Sequence, residues 1–338
     1  MMKRIALFGL CFACCVGLLA GCACSQTAPG QSAAPRVTPL ASTSAEQGAK
    51  TAEFKLPDAL EAREGQAPLV KVYVLEEEKV VDMDLEEYLQ GVLAGELKND
   101  WPMEALKAQA ILARSFALKF IADKGGSKYE GAHLSTDIEE AQAYDASGIN
   151  ERIVQAIEET RGEVLSYDGE PIYAWFHSHS GGTTALAKEG LGYEKDEPPY
   201  TKIVSVTESG AAEPDAREWQ ASFTLAEMQK ALDAYGGGQA ENLAVGQWSD
   251  SGRALTFTAG GGEIPAPAFR LELGGTKLRS TKIKTIAVQD GKIVISGVGY
   301  GHGVGMSQWG AYAMAEEGMK AEEIVQYFFK DVELVKAW

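Results

Sequence analysis

The chain reads as an α+β fold, mixed helices and antiparallel strands around a substrate groove, and three observations carry that reading. Segments of helical and of strand period follow one another from about residue 66 to the end, without the regular alternation that builds a parallel sheet. All five cysteines (Cys11, Cys14, Cys15, Cys22, Cys24) lie near the N-terminus, so the folded part has no disulfide framework and rests on a packed core, which a chain of 338 residues can build. Residues 299–309 read GYGHGVGMSQW, with four glycines at alternate positions. Such spacing is poor for a strand or helix and suits a backbone that turns tightly or lies close to a ligand.

Lys3 and Arg4 precede an apolar run at 5–19 that is too short to span a bilayer comfortably, and Leu19-Ala20-Gly21-Cys22 follows it. That is the pattern of a lipoprotein signal peptide over 1–21, with Cys22 the acylated first residue of the mature chain. Two or three acyl chains there anchor stably where one does not. The expected location is extracytoplasmic, lipid-anchored to a bacterial cell membrane. Residues 22–65 are rich in Ala, Ser, Thr, Pro, Gly and Gln and read as a flexible tether; 66–338 form the folded domain. The net charge of −17 excludes nucleic acid as a partner, since phosphate binding needs a basic face.

Within the folded part, 70–75 and 79–83 have strand character, with Glu76, Glu77 and Glu78 as an exposed turn. Asp84 and Glu87 form a variant capping box opening a helix whose buried face is Leu85, Tyr88, Leu89, Val92 and Leu93. That helix is expected to fade over 91–95, leaving Glu96 beyond a glycine pair. Pro102 starts a long helix to about Asp123, stopped by Gly125 and Gly126. Its packed side is Ala105, Gln109, Leu112, Ala113, Phe116 and Phe120, and its alanines allow a close approach that brings Arg114 and Ser115 near the preceding helix end. A third helix covers 151–160. Strands at 164–167 and 171–176 form a hairpin around Asp168-Gly169, and the second runs into His177-Ser178-His179-Ser180-Gly181-Gly182. Thr224 and Glu227 cap a helix reaching about Tyr235, β segments fill 243–295, and helices at 307–317 and 321–329 close the chain.

Chemistry-bearing motifs are few. The chain has no G-x-S-x-G elbow, H-E-x-x-H, Walker loop or dinucleotide fingerprint. Three of its four histidines (His177, His179, His302) fall in two Gly-rich segments, which favours a shared site. For His302 a satisfied structural histidine remains the competing reading. His177 and His179, two apart on a strand, point the same way, so a histidine-only metal site is conceivable; no cysteine is available to complete one. Glu96 sits among Val92, Leu93, Leu97 and Trp101, and a carboxyl beside apolar surface is held protonated, as a general acid must be.

The stretches EYLQGVLAGELKNDWPMEALKAQAILARSFAL (87–118), AQAY (141–144), PIYAWFHSHSGGTT (171–184) and GYGHGVGMSQWGAYAMAEEG (299–318), in this order, resemble the stage II sporulation protein D family (SpoIID/amidase-enhancer domain). The resemblance covers nearly all of 68–338, and PPYTKIVSV and FRLELG also fit its spacing. It implies a peptidoglycan lytic transglycosylase, a carbon–oxygen lyase acting on glycan strands at the cell surface. Its catalytic acid maps to Glu96 and its associated arginine to Arg114. The Gly-rich loop, and with it Ser115, His177, His179, Ser180, Tyr300, His302, Ser307 and Gln308, is expected to bind substrate. Some members carry a zinc site with two cysteines before the Q-x-Y segment. Here Thr136 and Ala141 stand at those positions, so no metal and no other cofactor is expected. The implied partners are peptidoglycan glycan strands, the membrane through the anchor, and a cell-wall amidase.

A single carboxyl suits this chemistry. Most glycoside hydrolases pair two carboxylates, whereas a lytic transglycosylase uses the substrate's own C6 hydroxyl in place of water. The alternatives are a non-catalytic glycan-binding enhancer of an amidase and a true hydrolase with a second carboxylate near Glu96.

Overall fold

The computed structural model describes residues 53–338. The signal segment, Cys22 and the tether up to residue 52 lie outside the described residues. The strands β1 (Leu69–Val74) and β2 (Lys79–Asp84) form an antiparallel hairpin with Val72 opposite Val81. Asp84 then caps α1 (Leu85–Glu96), its side chain accepting the Glu86 N–H at 2.9 Å. The box with Glu87 does not form, because Asp84 engages Glu86 one position earlier. The helix does not fade at its glycines: it runs through Gly91 and Gly95 and ends on Glu96. A Cβ at Gly95 would stand 2.7 Å from the Tyr144 nitrogen, and one at Gly91 would enter the Tyr144 ring. These glycines are there for close approach of a neighbouring segment, not for helix termination.

The helix α2 (Met103–Lys124) closes at Gly125, whose φ of 71° lets its N–H reach the Ile121 carbonyl at 2.9 Å. The short β3 (Leu134–Ser135) lies parallel to β1, and α3 (Glu151–Glu159) is capped by Asn150, which accepts the Ile153 N–H at 3.0 Å. The hairpin of β4 (Glu163–Tyr167) and β5 (Glu170–Pro171) turns on Asp168 and Gly169, at φ 53° and 79°. The expected second strand is broken. It stops at Pro171, and β6 (Phe176–His177) pairs instead, in parallel, with Met306–Ser307 far along the chain.

After α4 (Ala187–Leu191) and α5 (Pro214–Arg217) the chain builds a second hydrophobic core. On β7 (Glu218–Thr224) exposure alternates, with Trp219, Ala221 and Phe223 turned inward. The helix α6 (Leu225–Asp233) opens with the expected Thr224–Glu227 capping box. Strands β8 (Ala244–Trp248), β9 (Ala254–Thr258) and β10 (Ile264–Pro265) form one sheet, followed by α7 (Ala266–Glu272). In a second sheet, β12 (Lys292–Val298) lies between β11 (Ile283–Gln289) and β7. The chain returns through β13 (Met306–Ser307), α8 (Gln308–Glu316) and α9 (Ala321–Phe328) to β14 (Glu333–Lys336), which adds to β4. Helices α1, α2 and α3 bury Leu89, Leu93, Leu106, Ile153 and their neighbours in the first core. The fold is therefore α+β, with antiparallel pairs dominant.

Folded structure begins before residue 66. Leu60 is buried in the first core, and the Lys55 N–H donates to the Gly169 carbonyl at 2.9 Å. Composition reads this stretch as tether because its few apolar side chains are isolated, yet Leu60, with Phe54 and Leu56, packs against the first core. Among the described residues no helix is long and apolar enough to cross a membrane.

Candidate active site

Glu96 is the last residue of α1 and lines two cavities of about 550 and 400 Å³. The larger, open one is bordered by Lys98, Asn99, Asp100, Asp145 and Gly148. The smaller has an apolar side of Phe116, Trp175, Phe176 and Leu191 and a polar side of Gln142, His177, Ser178, Tyr300, His302 and Gln308. Among the described residues lining this second cavity, Glu96 is the sole carboxylate. Its Oε1 accepts the Ala143 N–H at 2.8 Å, and its Oε2 lies 3.5 Å from Gln308 Nε2. Burial raises its pKa above the ordinary carboxylate value, opposed by the Ala143 and Gln308 donors.

Of the residues expected at the site, Glu96, His177, Tyr300, His302 and Gln308 line this one cavity. Both histidines are held neutral. The His177 Nδ1 lies 3.1 Å from the Val304 carbonyl oxygen, which can only accept, so the proton sits on Nδ1 and Nε2 is a bare acceptor without a protein partner. Burial, then His302 and Arg253, hold its pKa well below the usual value. His302 is the structural histidine of the two: its Nδ1 accepts the Val304 N–H at 3.0 Å, its ring also bonds the Phe176 backbone, and burial beside Arg270 and Arg253 pushes it down to about 3. Tyr300 exchanges backbone hydrogen bonds with His179 at 2.8 and 3.0 Å, and its ring packs 4.9 Å from the Arg279 guanidinium carbon.

The Gly-rich loop runs at positive φ at Gly299, Gly301, Gly303 and Gly305. At Gly303 the reason is visible, since a Cβ there would overlap the guanidinium of Arg253. That arginine is fully buried and donates to the Ser180 carbonyl at 2.7 Å, tying the second core to the groove wall.

Other expected site residues are elsewhere. Arg114 is completely buried and faces the Glu86 carboxylate, with Nη2 at 2.6 Å and Nε at 3.1 Å from its oxygens; its Nη1 donates to the Glu163 carbonyl at 3.0 Å. Glu86 lies ten residues before Glu96 on the same helix, roughly 15 Å away along the axis. Arg114 therefore neither orients Glu96 nor lines either cavity. Ser115 is also internal: its hydroxyl donates to the Ile111 carbonyl at 2.7 Å and accepts the Leu165 N–H at 2.8 Å. His179, Ser180 and Ser307 converge instead on Glu208, behind the cavity. Glu208 accepts the Ser180 N–H at 2.7 Å and the Ser307 hydroxyl at 2.8 Å, and His179 Nδ1 stands 3.7 Å away. These three brace the wall from behind.

The sequence reading passes over four residues that matter. Glu86 falls in register with Leu89 and Leu93 on the apolar face, a position where a charge needs a buried partner. Glu208 carries no local signal. Gln142, in the AQAY segment, directs Nε2 toward the Ala113 carbonyl at 3.5 Å and leaves Oε1 bare. Trp175 stacks on Tyr173 with ring centroids 5.1 Å apart and gives the cavity an aromatic face suited to a sugar ring. The segment where the resemblance implies a zinc site in some members has no free ligand set for a metal among its described residues. Thr136 Oγ1 accepts the Leu75 N–H at 3.0 Å, His133 Nδ1 accepts the Lys71 N–H at 3.2 Å, and Ala141 offers no side-chain donor.

Comparison with known proteins adds the context. Residues 74–167 match the model of a family described as stage II sporulation protein, a span that includes Glu96, Gln109 and Gln142 but ends before the histidine and Gly-rich loops. The chain is similar to stage II sporulation protein D of Bacillus subtilis strain 168, 30% identical over 281 residues that cover 79% of each chain. It is 32% identical over 262 residues to an uncharacterized protein of Brachyspira hyodysenteriae, covering 76% of this chain and 68% of the relative. It is also 28% identical over 287 residues to an amidase enhancer of Bacillus subtilis, covering 71% of this chain and 39% of that longer protein.

Proposed function

The chain belongs to the stage II sporulation protein D family, and from that premise we propose that it is a peptidoglycan lytic transglycosylase, lipid-anchored through Cys22, with Glu96 as its single acid/base. The observation that carries the reading is the placement of Glu96. It is a carboxyl with a raised pKa, held by the Ala143 N–H, at the wall shared by two cavities, so a glycan strand can run past it on both sides.

The chemistry follows from that position. Protonated Glu96 gives its proton to the glycosidic oxygen between N-acetylmuramic acid and N-acetylglucosamine as the C1–O bond breaks. The C6 hydroxyl of the same muramic ring attacks C1, and the Glu96 carboxylate takes the hydroxyl proton. The product is a 1,6-anhydro end, no water is consumed, and Glu96 returns protonated. Trp175 and Phe116 flank the sugar face, while His177 Nε2 and Gln142 Oε1 are acceptors for hydroxyl or N-acetyl N–H groups. Glu96 is the one carboxylate of the smaller cavity, which suits this route; Asp100 and Asp145 border the larger cavity, and the product mass separates the route from hydrolysis.

The test is the product mass. Purified protein acting on glycan strands is expected to give ends lighter by one water than hydrolysis products. Glu96→Gln, folded and still binding glycan, should lose on the order of a hundred- to ten-thousand-fold in rate. Turnover near wild type by that variant removes Glu96 from the mechanism. The likeness to an amidase enhancer supports a second reading, in which the same groove binds glycan without cleaving it and a cell-wall amidase does the chemistry. Glycan binding with no released product, at any concentration of wild-type protein, would select it. Membrane fractionation of Cys22→Ala checks the anchor: retention in the membrane with unchanged mobility refutes it.

A further inference from the structure

An acid/base carboxyl alternates between two forms with opposite needs: the ionised form wants hydrogen-bond donors, and the protonated form can itself donate to an acceptor. On one side of Glu96 a fixed donor, the Ala143 N–H, serves Oε1. On the other side the partner is an amide. Gln308, the first residue of α8, places Nε2 3.5 Å from Glu96 Oε2 and 3.4 Å from Oε1 of Gln109. Gln109, in α2, is completely buried, and its own Nε2 has no hydrogen-bond partner. The two N–H bonds of a primary amide let Gln308 Nε2 face both oxygens at once. The orientation of Gln109 thereby decides which end of Gln308 meets Glu96. With Gln109 Oε1 forward, Gln308 must present its NH2 group. With Gln109 turned over, its now unpartnered Nε2 comes forward and Gln308 presents Oε1, an acceptor for a carboxylic acid proton. The contacts are long, as catalytic hydrogen bonds commonly are before substrate binds.

We propose that Gln109 is a positioning residue that acts through Gln308, setting whether a donor or an acceptor faces Glu96 Oε2, so that the amide pair follows the carboxyl as it loses and regains its proton. The inference rests on the reading of Glu96 as acid/base. It adds no proton carrier: the proton passes from Glu96 to the leaving oxygen and returns from the attacking hydroxyl, while the amides only rotate. The other titratable groups around Glu96 are Tyr88 on α1, Tyr144 on the segment packed over its glycines, His177, His302 and Tyr300 in the lining of the smaller cavity, and Lys98, Asp100 and Asp145 in that of the larger. None of them is altered by the variants below.

The experiment is a double-mutant cycle of Gln109→Leu and Gln308→Leu in the full-length folded chain, with two readouts. One is kcat and KM on purified glycan strands; the other is the titration of the Glu96 carboxyl carbon by NMR. Gln109→Leu is expected to lower kcat about tenfold, change KM less than about twofold, and add almost nothing when Gln308 is already leucine. The Glu96 titration should move to higher pH in each single variant, because the donor to the charged form is removed in Gln308→Leu and no longer held toward Oε2 in Gln109→Leu. Gln109→Met keeps size if the leucine variant does not fold; it can neither hold nor release Gln308 by a hydrogen bond, and is expected to lower kcat as well. Additive effects in the cycle, a change confined to KM, or an unmoved Glu96 titration overturn the proposal. The NMR readout needs no turnover, so an inactive wild type or an active Glu96→Gln, which would refute the transglycosylase reading, is distinguishable from failure of the positioning role.

Discussion

At the scale of single residues, the largest difference between pattern and structure is Arg114. Its guanidinium and the Glu86 carboxylate form a buried pair, and Glu86 also accepts the Gly162 N–H at 2.9 Å and the Trp338 indole N–H at 3.0 Å. Removing one partner leaves a buried charge uncompensated. Arg114→Met is therefore expected to destabilise the fold by about 3–5 kcal/mol. The molecules that remain folded should bind glycan normally. Denaturant unfolding and glycan binding check this, and a stable Arg114→Met protein that fails to act on glycan would return the arginine to the active site. The sequence could show that Arg114 lies on a buried helix face but not which carboxylate it meets, because Glu86 is 28 positions away and the choice depends on how two helices dock. Glu96 was easier to find, since its apolar neighbours are adjacent in sequence.

At the scale of elements, helix limits were largely legible. The Gly125 stop, the Asn150 cap and the Thr224–Glu227 box are local devices and act where they are written. What escaped local reading was contact between elements. Gly91 and Gly95 look like a fading helix end, yet they form a seam along α1 into which Tyr144 and its backbone fit. On a free helix Gly→Ala is worth about 1 kcal/mol of stabilisation. Here Gly95→Ala is expected to destabilise by about 1–3 kcal/mol through overpacking. It should also lower activity, because displacing residues 143–144 removes the N–H that holds Glu96. Thermal unfolding and glycan cleavage measure the two effects; a gain in stability with full activity would show the seam to be loose. The broken hairpin has the same cause. Strand period marks 171–176 as extended, but the partner of Phe176 and His177 is β13, about 130 residues on, and only the assembled fold brings it there.

At the scale of the whole molecule, the groove is held neutral on its histidine side, and stability must reflect that. His302 ordinarily titrates near 6.5 and is pushed down to about 3, so the unfolded chain binds its proton more readily. Stability from this residue is present above pH 6.5 and is lost as pH falls from there toward 3, by up to about 1.4 kcal/mol per pH unit. His177 acts in the same direction. Glu96 acts in the opposite one: its raised pKa favours the fold below the ordinary carboxylate value, and that contribution is lost as pH rises through its folded value. His302→Asn keeps an acceptor for the Val304 N–H but cannot titrate, so its unfolding free energy should fall less than wild type between pH 7 and 4.5. Urea unfolding at the two pH values measures this, and equal losses would mean that His302 is protonated in the fold.

The second core meets the groove where the chain enters and leaves it, and again through Arg253, which donates to the Ser180 carbonyl, and Arg279, whose carbonyl accepts the Gly301 N–H at 2.9 Å. The Gly299 N–H, at the end of β12, donates to the carbonyl of Arg217, just before β7, at 3.0 Å. The path of the chain thus departs and comes back at neighbouring points, and 218–298 is a branch held at its base and braced against the groove wall by Arg253 and Arg279. Insertions or deletions at turns of this branch away from Arg253 and Arg279 are expected to leave Glu96, Gln109 and Gln142 in place, because none of these lies on it. Changes of length at the outer turns of the branch are expected to leave Glu96 in its setting. The two tolerances differ sharply: freedom at the outer turns of the branch, and almost none where Arg253 reaches back to Gly303 and any side chain would enter the guanidinium.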